Sequence, residues 1–112
     1  MKLNDDQWDD LFTQYGVRLM YRPGLRRYFE GGIKPGGFLT AVLENNLRDA
    51  VARCSELDAG DILVRLVKFL MFEAPGRSWG SPEDVAAWVL TAAGFGGEMP
   101  NDFGNVKEKL DA

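Results

Sequence analysis

The sequence predicts an all-α fold: a compact single domain of five or six short helices around a central apolar helix. Three observations predict it. Apolar residues recur at three- and four-residue spacing along most of the chain. Asn, Asp, Ser and Pro stand where helices would begin, and Gly stands where they would stop. No alternating apolar–polar run of useful length argues for a strand.

The first helix follows Asn4, with Gln7 placed as its capping-box partner. Trp8, Leu11, Phe12 and Tyr15 share one face of it. Asp5, Asp6, Asp9 and Asp10 fill its first turns, where the helix dipole favours negative charge, and Gly16 stops it. Pro23 opens a second helix through Leu25, Tyr28 and Phe29, which Gly31 and Gly32 end. A third starts near Gly36 and carries Phe38, Leu39, Val42 and Leu43. Asn45 and Asn46 break it, and Leu47, Ala50, Val51, Cys54 and Leu57 continue at helical spacing in a fourth.

Asp58 is placed to cap a fifth helix over roughly residues 59–73. It is apolar on most sides, so its neighbours are expected to bury it, with Asp61 and Arg65 pairing on the remaining polar strip. Pro75 and Gly76 stop it. Ser81, Pro82, Glu83 and Asp84 make the clearest helix start in the chain, leading to the stripe of Val85, Trp88, Val89 and Ala92, and Gly94 ends this sixth helix. The helical domain is thus expected over residues 1–94. Residues 95–112 are a Gly-rich tail, either mobile or docked through Phe95, Met99, Phe103 or Leu110.

Composition narrows the function. A chain of 112 residues, 46% hydrophobic and 27% charged, has the balance of one soluble globular domain. Cys54 is the one cysteine, so an intrachain disulfide is impossible and a reducing compartment is favoured; the stripe it sits on implies a buried thiol. The acidic start does not read as a secretory signal, and the longest apolar stretch, interrupted by Arg65 and Lys68, is too short to span a bilayer. A cytoplasmic protein without membrane partners is expected.

Histidine is absent, which removes the commonest general base and the commonest zinc ligand. The aspartates of the first helix lie on one exposed segment, whereas a hard cation needs oxygens converging from several. No motif argues for an enzyme, a cofactor or a metal. The net charge of −4 argues against general nucleic-acid binding. It conceals a basic segment, however: Arg18, Arg22, Arg26, Arg27 and Lys34, accompanied only by Glu30.

Two stretches carry what binding chemistry there is. In "GGIKPGGFLTAVL" the amides of Gly36 and Gly37 precede a helix, where Arg26, Arg27 and Lys34 could complete an anion cradle. No GK[ST] follows and no strand precedes, so neither a P-loop nor a dinucleotide turn is present. The plainer reading is a corner at which the same glycines let two helices approach closely. In "RSWGS", Trp79 either plugs the core or anchors a partner or ligand ring, beside the helix start at Ser81.

The residues Pro35, Gly36, Phe38, Leu39, Val42, Leu43, then Asn45, Asn46, Leu47, then Pro75, Trp79, Gly80, Ser81 and Trp88 form a pattern, P-G-x-F-L-x-x-V-L followed by P-x-x-x-W-G-S and a late Trp. In this the chain resembles small phage and prophage proteins of unassigned function, over roughly residues 25–90. Asn46 departs from the acidic residue more usual there. The resemblance implies a virus-encoded or mobile-element origin and carries no catalytic residue. It implies an accessory binding protein of phage type, acting stoichiometrically on a host protein, with counter-defence as its natural role. The alternative is a sponge that sequesters a small anionic nucleotide signal through Arg26, Arg27, Lys34, Gly36, Gly37 and Ser81, with Trp79 stacking on the base. Homo-oligomerisation is compatible with either.

Overall fold

The computed structural model describes residues 2–55 and 57–95, with the side chains of 92–95 excepted. Among the described residues there are six α-helices and no strand. They are α1 (Asp5–Tyr15), α2 (Arg22–Gly31), α3 (Gly37–Leu43), α4 (Leu47–Arg53), α5 (Ala59–Glu73) and α6 (Pro82–Phe95). A 3₁₀ turn, Leu19–Tyr21, leads into α2 and was not foreseen. The expected tail after Phe95 lies outside the described residues. Among the described residues no helix is long and apolar enough to cross a membrane.

The helix ends follow local chemistry. The Asn4 side chain accepts from the Gln7 amide at 2.8 Å, and the Gln7 side chain accepts from the Asn4 amide at 2.9 Å. This reciprocal pair satisfies two amides that the first turn leaves orphaned. Gly16 closes α1 at φ 66°, a left-handed conformation open to glycine at little cost. The Ser81 hydroxyl accepts from the Asp84 amide at 3.1 Å and caps α6.

Aromatic rings knit the core. Phe69 of α5 meets Phe12 at 5.3 Å, Tyr15 at 6.0 Å and Phe29 at 6.1 Å, so α5 gathers α1 and α2 around one ring. Trp88 of α6 packs on Tyr28 and Phe29 of α2. Trp8, Phe12, Tyr28, Phe29, Phe69 and Trp88 are all fully buried. Each such side chain contributes on the order of 1.5–3 kcal/mol by leaving water.

The link between α5 and α6 is built rather than loose. The Tyr28 hydroxyl donates to the Ser78 carbonyl at 2.5 Å, and the Gly80 amide donates to the Leu43 carbonyl at 2.7 Å. The Ser78 amide and hydroxyl both donate to the Pro75 carbonyl. Trp79 is held half-buried against the core by this loop.

Four expectations need correction. First, α4 ends at Arg53, and Cys54 is extended at ψ 121°, so the helix does not reach Leu57. Leu57 is fully exposed, and Cys54 is half-buried against the core rather than sealed in it. Second, α5 is not covered on all sides. Ile62, Leu63, Leu66, Phe69 and Leu70 point inward, while Val64, Met71 and Phe72 are exposed. Third, Asp58 makes no capping hydrogen bond; its carboxylate pairs with Arg18 instead. The Asp61–Arg65 pair forms as expected, at 3.0 Å. Finally, α6 runs through Gly94 to Phe95.

Candidate functional site

The basic segment does not stay together. Arg26 turns toward α1, where its Nη2 meets Asp5 at 2.6 Å and its Nε meets Glu30 at 2.9 Å. Glu30 also accepts from the Trp8 indole at 2.8 Å. The hydrogen bonds to Asp5 and then Glu30 hold the Arg26 guanidinium above its ordinary pKa. Its charge is thus already answered by the protein. Arg27 is exposed and belongs to no ion pair among the described residues.

Lys34 and Gly37 do come together, in a groove of about 250 Å³ between the start of α3 and α4. Gly36 is the N-cap residue of α3 and supplies no side-chain cap. The groove also holds Arg53, and two carboxylates, Glu44 and Asp49. A phosphate entering here would meet as many negative as positive side chains, so the groove is a poor anion cradle. The Arg53 guanidinium lies against Gly37, where a Cβ would stand 2.8 Å from Nη1. Of the two glycines only Gly37 meets α4 closely; nothing stands within 4 Å of an added Cβ at Gly36.

Ser81 lies elsewhere. The Gly80 amide is bound to the carbonyl of Leu43, at the C-terminal end of α3, while Gly36 caps the N-terminal end. Seven helical residues, about 10 Å, separate the two. The helix starts at Gly36 and Ser81 therefore do not face one ligand. Trp79 packs against the core and Ser81 is occupied by Asp84, so the sponge as drawn from the sequence has no single site.

Sequence reasoning missed a different surface. On α4, Ala50 takes the inward position and leaves Leu47 68% and Val51 51% exposed. On α5, Val64 is 54% exposed, with Val67 and Met71 one turn and two turns on along the same side. Between the helices lies a shallow notch of about 50 Å³, lined by Ala41, Val42, Leu47, Ala50, Leu63 and Val67 with the amides of Asn45 and Asn46 at one end. No charged side chain lines it. Arg48 and Lys68 follow the lining residues Leu47 and Val67 in the sequence, and both are exposed and outside every ion pair among the described residues. The signal was present in the sequence as the apolar stripe of α4, but helical spacing does not say whether a stripe is covered.

The arrangement holds no obvious reactive pair. Among the described residues, no group of three or more Cys, Asp or Glu side chains is placed to hold a metal ion. What the geometry offers is a set of uncovered apolar side chains beside an uncharged notch, a surface suited to recognition. No protein-family model, no curated protein and no solved structure matches this chain.

Proposed function

We propose that the chain is a non-enzymatic binding protein that acts stoichiometrically on a host protein, in the counter-defence role implied by its resemblance to small phage proteins. One observation carries the reading: Leu47, Val51 and Val64 are left to solvent beside a notch that no charged side chain lines. Exposed apolar residues gathered on one face, with a polar rim, mark interaction sites more often than chance exposure does.

The rim says what kind of partner fits. Arg48 and Lys68, next in sequence to the notch residues Leu47 and Val67, are exposed and have no acidic partner among the described residues. The complementary partner is an amphipathic helix that sets one small apolar side chain into the notch and carries Asp or Glu on its flanks. The basic segment and Trp79, which the sequence suggested as contacts, contribute less: Arg26 is paired and Trp79 is packed.

The test uses a photo-crosslinking residue at position 64 and, as control, at position 27. Produced in host cells, the protein should crosslink one host polypeptide from position 64 and none from position 27. With the crosslinking residue kept at position 64, the Leu47→Glu/Val51→Glu variant should lose that product while keeping its melting temperature, because both substituted positions are exposed. Arg48→Glu/Lys68→Glu should weaken it. Crosslinking of the same polypeptide by the apolar-to-Glu variant, or crosslinks only between copies of this chain, would refute the reading.

A further inference from the structure

A second concavity lies on the opposite flank of α5, where α1 ends and the chain turns into α2. It measures about 440 Å³ and is walled by Thr13, Gly16, Arg18, Arg22, Asp61 and Arg65. Three arginines line it, Arg18 and Arg22 from the basic segment and Arg65 from α5. Arg65 lies far from the other two in the sequence, which hid the cluster.

The donors are only partly used. Arg65 meets Asp61 through Nε, at 3.0 and 3.1 Å, which leaves both Nη groups unengaged by any described acceptor. Arg22 gives Nε to the Val17 carbonyl at 2.9 Å and reaches Thr13 at 3.5 Å with Nη1; its Nη2 has no acceptor and the side chain has no carboxylate partner among the described residues. Arg18 pairs with Asp58. The wall thus carries three positive side chains against Asp61, with Asp58 behind Arg18.

A purely structural role accounts for part of this. No basic residue lies in the last turn of α1, so Arg22 and Arg65 supply positive charge to its C-terminal end. Two of the carbonyls there already have donors, however: Phe12 and Thr13 accept from the amides of Gly16 and Val17. Gly16 adds to the shape. A Cβ there would stand 2.1 Å from Arg65 Nη1, so only a glycine lets that guanidinium lie along the backbone.

We propose that this cavity binds a small anion with two linked phosphoryl groups, held by the fork donors of Arg22 and Arg65, with Arg18 closing the third side. Guanidinium groups match phosphoryl oxygens in pairs, and such charge-assisted bonds are the strong ones. The chemistry is that of pyrophosphate, whether free or carried by a nucleoside diphosphate. The site is independent of the α4–α5 face.

The experiment is calorimetric titration of the full chain with pyrophosphate at constant ionic strength, with sulfate at equal charge as control. Saturable binding at one site per chain is expected, and Arg22→Gln and Arg65→Gln should each weaken it about tenfold or more. Arg27→Gln and Leu47→Glu should leave it unchanged. A parallel titration with ADP separates the sources: equal affinity means the diphosphate alone is recognised, and tighter binding means that a nucleoside is read as well. Because Arg65 also pairs with Asp61, Arg65→Lys serves as a charge-keeping control that holds the fold and still weakens binding. No saturable binding of either compound, or equal binding by the Arg22→Gln variant, would overturn the proposal.

Discussion

The indole Nε1 of Trp88 donates to the backbone carbonyl of Tyr28 at 2.6 Å, with both residues fully buried. The Tyr28 hydroxyl in turn donates to the Ser78 carbonyl at 2.5 Å. One residue of α2 therefore ties down both α6 and the loop before it. Burying a polar group is affordable only when it is bonded, and here each buried donor has an acceptor.

Tyr28→Phe keeps the ring and removes the hydroxyl. It should lower stability by about 1–2 kcal/mol, because the Ser78 carbonyl loses its donor in a dry site. Trp88→Phe should lower it by about 1–3 kcal/mol, through a smaller ring and the lost indole bond; the Tyr28 carbonyl keeps the Gly32 amide at 3.0 Å. Urea denaturation measures both. A midpoint unchanged in either variant would show that the link is not structural.

The same tyrosine makes stability depend on alkaline pH. Burial, followed by the charges of Asp84 and Glu44, holds the Tyr28 pKa well above its ordinary value of 10.0. The Tyr15 pKa is raised too, first by its hydrogen bond to Glu73 and then by burial. The unfolded chain releases these protons near the ordinary value, while the native chain keeps them. Unfolding is thus favoured as pH rises: this part of stability is full below about pH 9 and is lost progressively as the pH climbs past about 10 toward the raised native values. Denaturation midpoints followed from neutral to alkaline pH should begin to fall near pH 10 and continue to fall above it. Tyr28→Phe should flatten the fall; an identical slope in the variant would remove Tyr28 from the explanation.

Glu30 separates a buried bond from a surface ion pair. It accepts from the buried Trp8 indole at 2.8 Å and also pairs with the partly exposed Arg26. Glu30→Gln keeps an acceptor for Trp8 and loses only the charge, so it should cost under about 1 kcal/mol. Glu30→Ala leaves a buried N–H without a partner and should cost about 1–3 kcal/mol. Equal losses in the two variants, read by Trp fluorescence during denaturation, would show that the indole bond adds nothing.

Helix starts and stops were legible in the sequence because their chemistry is local. Asn4 with Gln7, Gly16, Pro23, Gly32 and Ser81 act within a few residues, and the structure uses each of them. The end of α4 was not legible. Cys54 and Leu57 keep the helical spacing, yet the backbone extends at Cys54, and nothing in the apolar pattern distinguishes a stripe facing the core from one facing water. Ala50, small enough for α4 to lie close on α3, took the inward place that the larger Leu47 and Val51 were expected to share. The binding residues failed for a related reason. Arg18, Arg22, Arg26 and Lys34 are neighbours in sequence, but the turn into α2 and the corner at α3 send them to three different surfaces. Arg65 and Arg53, which complete two of those surfaces, come from helices formed later in the chain.

Two glycines test what the corner and the turn require. Gly16 sits at φ 66° with Arg65 against its Cα, so Gly16→Ala imposes both a left-handed alanine and a displaced guanidinium. It should cost about 1–2 kcal/mol. Gly36 differs on both counts: its φ is −65°, and nothing stands within 4 Å of an added Cβ. It is also the N-cap of α3 without a capping side chain. Gly36→Ser should therefore raise stability by about 0.5–1 kcal/mol, by adding a cap and stiffening the unfolded chain. Thermal unfolding of the two variants gives shifts of opposite sign. If Gly36→Ser destabilises instead, the start of α3 needs a bare backbone for a reason other than making a corner, and the groove beside Lys34 regains its claim as a binding site.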